Sequence, residues 1–128
     1  MLKIGFDIGG VLSKYPHEMR VLLNALSESK EIELHCISDM HFSQIKDVLQ
    51  KNDFLKYFRV RNIHSANYET FGDDCKAHIL TEYEIDVMID DRLEYLLSGC
   101  TIGLQTAPRN GLPYHHSDWI PYKDTRNS

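Results

Sequence analysis

The sequence predicts a three-layer α/β/α sandwich around a mainly parallel, five-stranded, Rossmann-like sheet. Three observations predict it. Short apolar runs rich in β-branched residues recur along the chain. Stretches with helical spacing of apolar residues separate them. Asp7, Ser38 and the pair Asp90-Asp91 stand where three of the runs stop. Strands that alternate with helices imply βαβ units, and βαβ units imply parallel pairing with helices on both faces.

The elements follow in order. Leu2 to Ile8 reads as a short buried strand, with Leu2, Ile4, Phe6 and Ile8 apolar, and Gly9-Gly10 breaks it. Pro16 opens a helix that turns Met19, Leu22, Leu23 and Leu26 to one face. Glu33 to Ile37 is a second strand. Ser38-Asp39 then caps a helix from about His41 to Lys51, with Ile45, Val48 and Leu49 inward. Phe58 to Ile63 is expected as the third strand, and His64 to Gly72 as a loop. Asp73-Asp74 starts a helix to about Tyr83 that buries Ile79 and Leu80. Asp86 to Ile89 is a buried parallel strand. A fourth helix runs from Asp91 through Leu93, Leu96 and Leu97 to Gly99, and Thr101 to Leu104 is the fifth strand. Residues 106–128 hold three of the four prolines and no helical period, so they read as a loop-rich tail with one short strand near Trp119-Ile120.

The 128 residues suit one domain, 1–128, with the core in about 2–105. At 42% hydrophobic and 26% charged residues, the chain has enough apolar surface to form a core and is not expected to be disordered. A net charge of −5 argues against general attraction to nucleic acid or to an anionic membrane, so a phosphate ester would need a locally positive site. No apolar run reaches the roughly 18 residues of a membrane helix, and no signal peptide is expected. The three cysteines, Cys36, Cys75 and Cys100, are scattered and form no CxxC pair. Free thiols in a reducing cytoplasm are the simplest expectation. Cys36 and Cys100 are expected to be buried and Cys75 partly exposed.

In open parallel sheets the ligand site lies beyond the carboxyl ends of the strands. Asp7, Ser38 and Asp90-Asp91 occupy those ends, and Lys76 opens the helix before the fourth strand. A carboxylate, a hydroxyl, an ammonium and a carboxylate pair thus converge on one edge.

These four features resemble the haloacid dehalogenase-like superfamily. The first motif is Ile4-Gly5-Phe6-Asp7-Ile8-Gly9-Gly10-Val11, the second Cys36-Ile37-Ser38, the third Lys76, the fourth Val87-Met88-Ile89-Asp90-Asp91. Each alone is weak; their order and their places at strand ends make the resemblance specific, and it covers Leu2 to about Leu104. It implies that Asp7 is a nucleophile forming an aspartyl-phosphate. Ser38 and Gly10 would bind the phosphoryl group, Lys76 would neutralise it and Asp7 together, and Asp7, the Gly9 carbonyl, Asp90 and Asp91 would hold Mg²⁺. Magnesium suits a set of hard oxygen donors with no His/Cys cluster nearby. The expected function is an Mg²⁺-dependent phosphohydrolase or phosphotransferase acting on a small phosphorylated substrate such as a nucleotide or a sugar phosphate.

One position departs from the pattern. Family phosphatases carry a general acid/base Asp two residues after the nucleophile; this chain has Gly9. Such assistance is worth roughly 10²- to 10⁴-fold. Either turnover is slow and favours good leaving groups, or another group such as His17 or His41 supplies the proton, or the protein is a non-catalytic binding or regulatory relative that keeps the metal site. There is no room for a large cap domain between the motifs, so an open site is expected. Capless relatives often form oligomers, which leaves a homo-oligomer open. Arg109, Tyr114, His115, His116 and Trp119 of the tail are weak candidates for the site border.

Blander readings accompany these. Ser38 and Asp90-Asp91 could serve only as helix caps, and Lys76 could be an ordinary helix lysine. The adjacent His115-His116 point apart and read as solvated. Tyr68, Phe71, Tyr114, Trp119 and Tyr122 could stack on a base but are better read as loop anchors. A response-regulator receiver is excluded, because there the acid pair follows the first strand.

Overall fold

The computed structural model describes residues 1–107. Five parallel strands form one sheet in the order β3-β2-β1-β4-β5: β1 Leu2–Phe6, β2 Ile32–Ser38, β3 Ile63–Ser65, β4 Val87–Asp90 and β5 Ile102–Gln105. The helices are α1 Pro16–Ser27, α2 Phe42–Lys51, the short α3 Tyr68–Phe71 and α4 Cys75–Glu82. Helices α1 and α2 pack on one face, α4 on the other, and no cap domain is present among the described residues. This is the three-layer architecture expected.

Alternation of side chains across each strand separates two cores. Ile4 and Phe6 of β1, Leu34 and Cys36 of β2 and Ile63 of β3 meet Leu23 of α1 and Ile45, Val48 and Leu49 of α2. On the opposite face Ile37 and Met88 meet Leu80 of α4 and Ile85. Pro16 begins α1 because its fixed φ suits the first helical turn and its missing N–H costs nothing there.

Several boundaries differ from expectation. The first strand stops at Phe6, before Asp7. The third strand is Ile63–Ser65, not Phe58 to Ile63; Phe58 instead buries its ring against Phe6, and Val60–Asn62 form a 3₁₀ turn. An apolar stretch that packs as an irregular segment imitates a strand in the sequence. The expected fourth helix is only a 3₁₀ turn, Leu93–Tyr95, with Leu93 and Leu97 exposed, so no apolar stripe holds a full helix there. Within 64–72, expected as loop, lie the end of β3 and α3. Leu22 faces outward, and Cys75 is buried rather than partly exposed; Cys36 is buried as expected and Cys100 is half-buried. Tyr68 and Phe71 are partly exposed, and Phe71 lies tilted against His78 with ring centroids 4.1 Å apart. The expected strand near Trp119-Ile120 and the candidates Arg109, Tyr114, His115, His116 and Trp119 lie outside the described residues, as does Tyr122.

The α4 face also buries an imidazole pair. His35 of β2 and His64 of β3 lie 2.9 Å apart, Nδ1 to Nε2, and His35 Nε2 lies 2.7 Å from Glu33 Oε1. The consistent proton assignment has His35 donating to Glu33 and His64 donating to His35. Burial lowers both pKa values, to about 4 for His64, where the neighbouring His35 adds to the effect. The unfolded chain, with ordinary histidines near 6.5, therefore binds more protons than the folded chain in acid. Their contribution is complete above pH 6.5 and declines as pH falls from there toward 4. Between pH 7 and pH 4.5 denaturant unfolding should show wild type losing roughly 2 kcal/mol more stability than His64→Phe, a difference that cancels the carboxylates common to both proteins. Equal acid sensitivity in wild type and variant would disprove the assignment.

Candidate functional site

In this strand order the chain reverses direction across the sheet between β1 and β4, the place where open parallel sheets bind ligands. Phe6 of β1 is in register with Ile89 of β4, and the Asp7 amide continues that ladder by donating to the Ile89 carbonyl at 3.0 Å. The next step puts Asp7 level with Asp90. Two carboxylates are therefore side by side because of backbone register alone.

Lys76 resolves their repulsion. It sits in the first turn of α4, fully buried, and its Nζ lies 2.9 Å from Asp7 Oδ1 and 2.6 Å from Asp90 Oδ2. The Tyr95 ring lies against the ammonium, 4.5 Å from Nζ to centroid. Burial alone would lower the lysine pKa, but Asp7 and Asp90 outweigh it and hold it above the ordinary range. The other oxygen of Asp90, Oδ1, accepts from the Arg92 amide at 3.1 Å.

One ammonium does not balance three carboxylates. Burial, then Asp90, pushes the Asp7 carboxyl well above the normal range, with Lys76 opposing. Burial and Asp90 likewise push Asp91 up to about 6. Oxygen atoms from Asp7, Asp90 and Asp91 lie within 4.8 Å of one another, and Asp91 Oδ1 is buried with no hydrogen-bond partner. An orphaned carboxylate oxygen beside two other acids fits a small, hard divalent cation, which would satisfy that oxygen and the charge imbalance together.

The turn after β1 is shaped for this neighbour. Ile8–Leu12 forms a wide turn in which Gly10 adopts φ +77°. A Cβ on Gly10 would stand 2.2 Å from the carboxyl of Asp91, so only glycine lets the turn and the acid coexist. The Gly10 amide donates to Ser13 Oγ at 3.1 Å, and its carbonyl accepts from Thr106 Oγ1 at 2.9 Å. Thr106 also donates its amide to the Asp90 carbonyl at 3.1 Å, so the residue just past β5 ties the two acid-bearing loops together. Gly10→Ala should lower stability by about 2–4 kcal/mol through the left-handed backbone and the overlap with Asp91. An unchanged urea midpoint would show that the turn relaxes away from Asp91.

Of the residues expected at the site, Asp7, Lys76, Asp90 and Asp91 come together, Gly10 lies against Asp91, and Gly9 precedes it in the turn after Asp7. Ser38 ends β2 on the same edge, buried, but makes no hydrogen bond with Asp7, Lys76 or the acid pair. Its Oγ accepts from the Met40 amide at 3.2 Å, which shapes the loop. The N-cap of α2 is His41, so Ser38-Asp39 does not cap that helix. His17 and His41 are exposed on helix starts, and neither makes a hydrogen bond or ion pair with the acids or with Lys76. Asp73-Asp74 lie in a 3₁₀ turn before α4, and Asp74, at its N-cap, provides no side-chain cap.

Tyr95, Asp39, Ser13 and Thr106 were not anticipated. Tyr95 is buried, and its hydroxyl donates to Asp39 Oδ2 at 3.1 Å. It therefore connects the lysine to the loop after Ser38. Nothing local marks Tyr95, which sits inside an apolar stretch that reads as helix; its role arises from the packing of the turn after β4 against α4.

Comparison with protein-family models, with curated proteins and with solved structures finds no significant match.

Proposed function

We propose that the chain is an Mg²⁺-dependent phosphohydrolase of the haloacid dehalogenase-like type, taking small phosphomonoesters in a site open on one side. The observation that carries this reading is the buried Lys76 ammonium bridging Asp7 and Asp90, with the orphaned Asp91 oxygen beside them. Purely structural ion pairs rarely gather three acids around one lysine, since breaking even is hard for buried charges.

Asp7, Asp90, Asp91 and the Gly9 carbonyl would hold the cation, which supplies charge neutralisation for the phosphoryl oxygens. With Oδ1 anchored by Lys76, Asp7 keeps its second oxygen for attack on phosphorus. The P–O bond to the leaving group breaks as the aspartyl-phosphate forms. Water then attacks phosphorus, releasing inorganic phosphate and regenerating the carboxylate. Ser38 needs only its hydroxyl hydrogen to hold a phosphoryl oxygen, since its bond from Met40 uses a lone pair. Gly9 offers no proton to the departing oxygen, so turnover should depend steeply on leaving-group acidity.

Gly9 also favours a second reading, a non-catalytic binding protein that retains the cation site. Turnover of an aryl phosphate with Mg²⁺ and with a chelator, combined with acid-quench trapping of a phosphoenzyme, separates the two. Metal-dependent turnover with a trapped aspartyl-phosphate supports the enzyme. Cation binding without either supports the second reading.

A further inference from the structure

Basic side chains gather at the end of the sheet opposite the acids. Lys30 stands just before β2, and Arg59 and Arg61 stand in the irregular segment just before β3. With Lys56 of the preceding 3₁₀ turn they line one cleft of about 510 Å³, which Ser29 and Glu33 also line. All four basic residues are exposed. Asp53 Oδ2 lies 3.2 Å from Lys56 Nζ, and Glu33 Oε1 lies 2.7 Å from His35 Nε2. The four cations outnumber these two carboxylates. The length of the sheet, roughly 20 Å along the seven residues of β2, separates the cleft from the acid cluster.

We propose that this cleft is a second binding site, for a small ligand carrying two or more linked phosphoryl groups, such as a nucleoside diphosphate. Gathering like charges on one cleft is unfavourable, and a bound polyanion offsets that repulsion. Each arginine presents a planar fork of donors that pairs two phosphate oxygens at once, and each lysine adds charge without fixed geometry. Ser29 Oγ accepts from the Glu31 amide at 3.2 Å through a lone pair, which leaves its hydroxyl hydrogen for a phosphate oxygen. One phosphate carries roughly 1.5–2 negative charges near pH 7, so two linked groups match four cations more closely than one does. The volume of the cleft suits a small molecule. A nucleic-acid strand would run on past the cleft over a chain of net charge −5, which resists a long polyanion. The site lies apart from the acid cluster and stands whether or not Asp7 is a nucleophile.

Isothermal titration calorimetry tests the site at low salt, with divalent cations removed on a chelating resin so that the acid cluster repels anions. The probes are inorganic tripolyphosphate and ADP, with orthophosphate as the single-phosphate comparison and an oligothymidylate as the polymer. Tripolyphosphate and ADP should bind with submillimolar Kd, orthophosphate about tenfold more weakly or worse, and about 0.5 M salt should remove most of the affinity. Arg59→Gln/Arg61→Gln should weaken tripolyphosphate about tenfold or more. Lys46→Gln/Lys51→Gln, which removes the same charge from α2, should change it by less than about twofold. In wild type, amide shifts on adding tripolyphosphate should centre on residues 29–33 and 59–62. Equal weakening by the two double variants would mean general attraction to positive charge and overturns the site. So do absence of binding at millimolar tripolyphosphate, orthophosphate binding as tightly as tripolyphosphate, or amide shifts centred on Asp7 and Asp90-Asp91. Oligothymidylate binding more tightly than ADP, with the same dependence on Arg59 and Arg61, overturns the small ligand in favour of nucleic acid.

Discussion

Lys76→Met should lower the unfolding free energy by about 3–5 kcal/mol, because it removes the ammonium from two buried carboxylates and leaves them to repel each other. The methionine keeps most of the apolar stem, so the loss reports charge rather than volume. At roughly 3–5 °C per kcal/mol, between the scales for smaller and larger domains, the thermal midpoint should fall by about 10 °C or more. The variant also predicts its own remedy. With the lysine gone, Asp7, Asp90 and Asp91 form an uncompensated acidic cluster whose oxygens already lie within 4.8 Å of one another. A divalent cation that binds the folded state and not the unfolded one stabilises by mass action. Millimolar Mg²⁺ should therefore raise the midpoint of Lys76→Met more than that of wild type. Circular dichroism melts with and without Mg²⁺ decide the matter. A variant that melts within 2–3 °C of wild type would mean that solvent reaches the acids and that the buried ion pair carries little of the fold.

Much of this site was legible in the sequence, for a physical reason. The acids and the lysine belong to places dictated by topology: the ends of parallel strands and the start of a returning helix. Apolar periodicity locates β1 and β4 and puts an acid at the end of each; the observed register that pairs Phe6 with Ile89 then makes Asp7 and Asp90 neighbours. Ser38 was found by the same logic, and it does end β2, yet its observed bond serves the loop. The misreadings have a common cause. Phe58 to Ile63 has the alternation of a strand, but only Phe58 serves the core from an irregular segment, Val60 faces solvent, and the true strand begins at Ile63, three residues long with a histidine at its centre. Leu93, Leu96 and Leu97 have helical spacing, but two of them face solvent and only a turn forms. Spacing identifies a face that could be buried; it does not say whether anything is there to bury it. Tyr95, Thr106 and the His35–His64 pair were invisible for the complementary reason, since each acts through partners that only tertiary packing supplies.

Asp7→Asn should abolish phosphatase turnover while preserving the fold. The substituted amide keeps an oxygen to accept from Lys76, so the 2.9 Å contact with Oδ1 has an isosteric heir. It also removes one of three carboxylates from a site where burial and Asp90 already make ionisation of Asp7 costly. Stability should thus hold or rise slightly, in contrast to Lys76→Met. Activity should respond in the opposite way. An amide oxygen is a far weaker nucleophile than a carboxylate, and loss of a covalent nucleophile commonly costs about 10³-fold or more in kcat. The two variants together distinguish a catalytic centre from a structural ion-pair network. In a structural network, the residue whose removal damages function also damages the fold. In a catalytic centre, Asp7→Asn stays folded and binds Mg²⁺ more weakly through Asp90 and Asp91, yet turns over no aryl phosphate and forms no trapped phosphoenzyme. Retention of more than about a tenth of wild-type kcat by a folded Asp7→Asn would exclude the aspartyl-phosphate route, since no covalent mechanism tolerates the loss of its nucleophile so lightly.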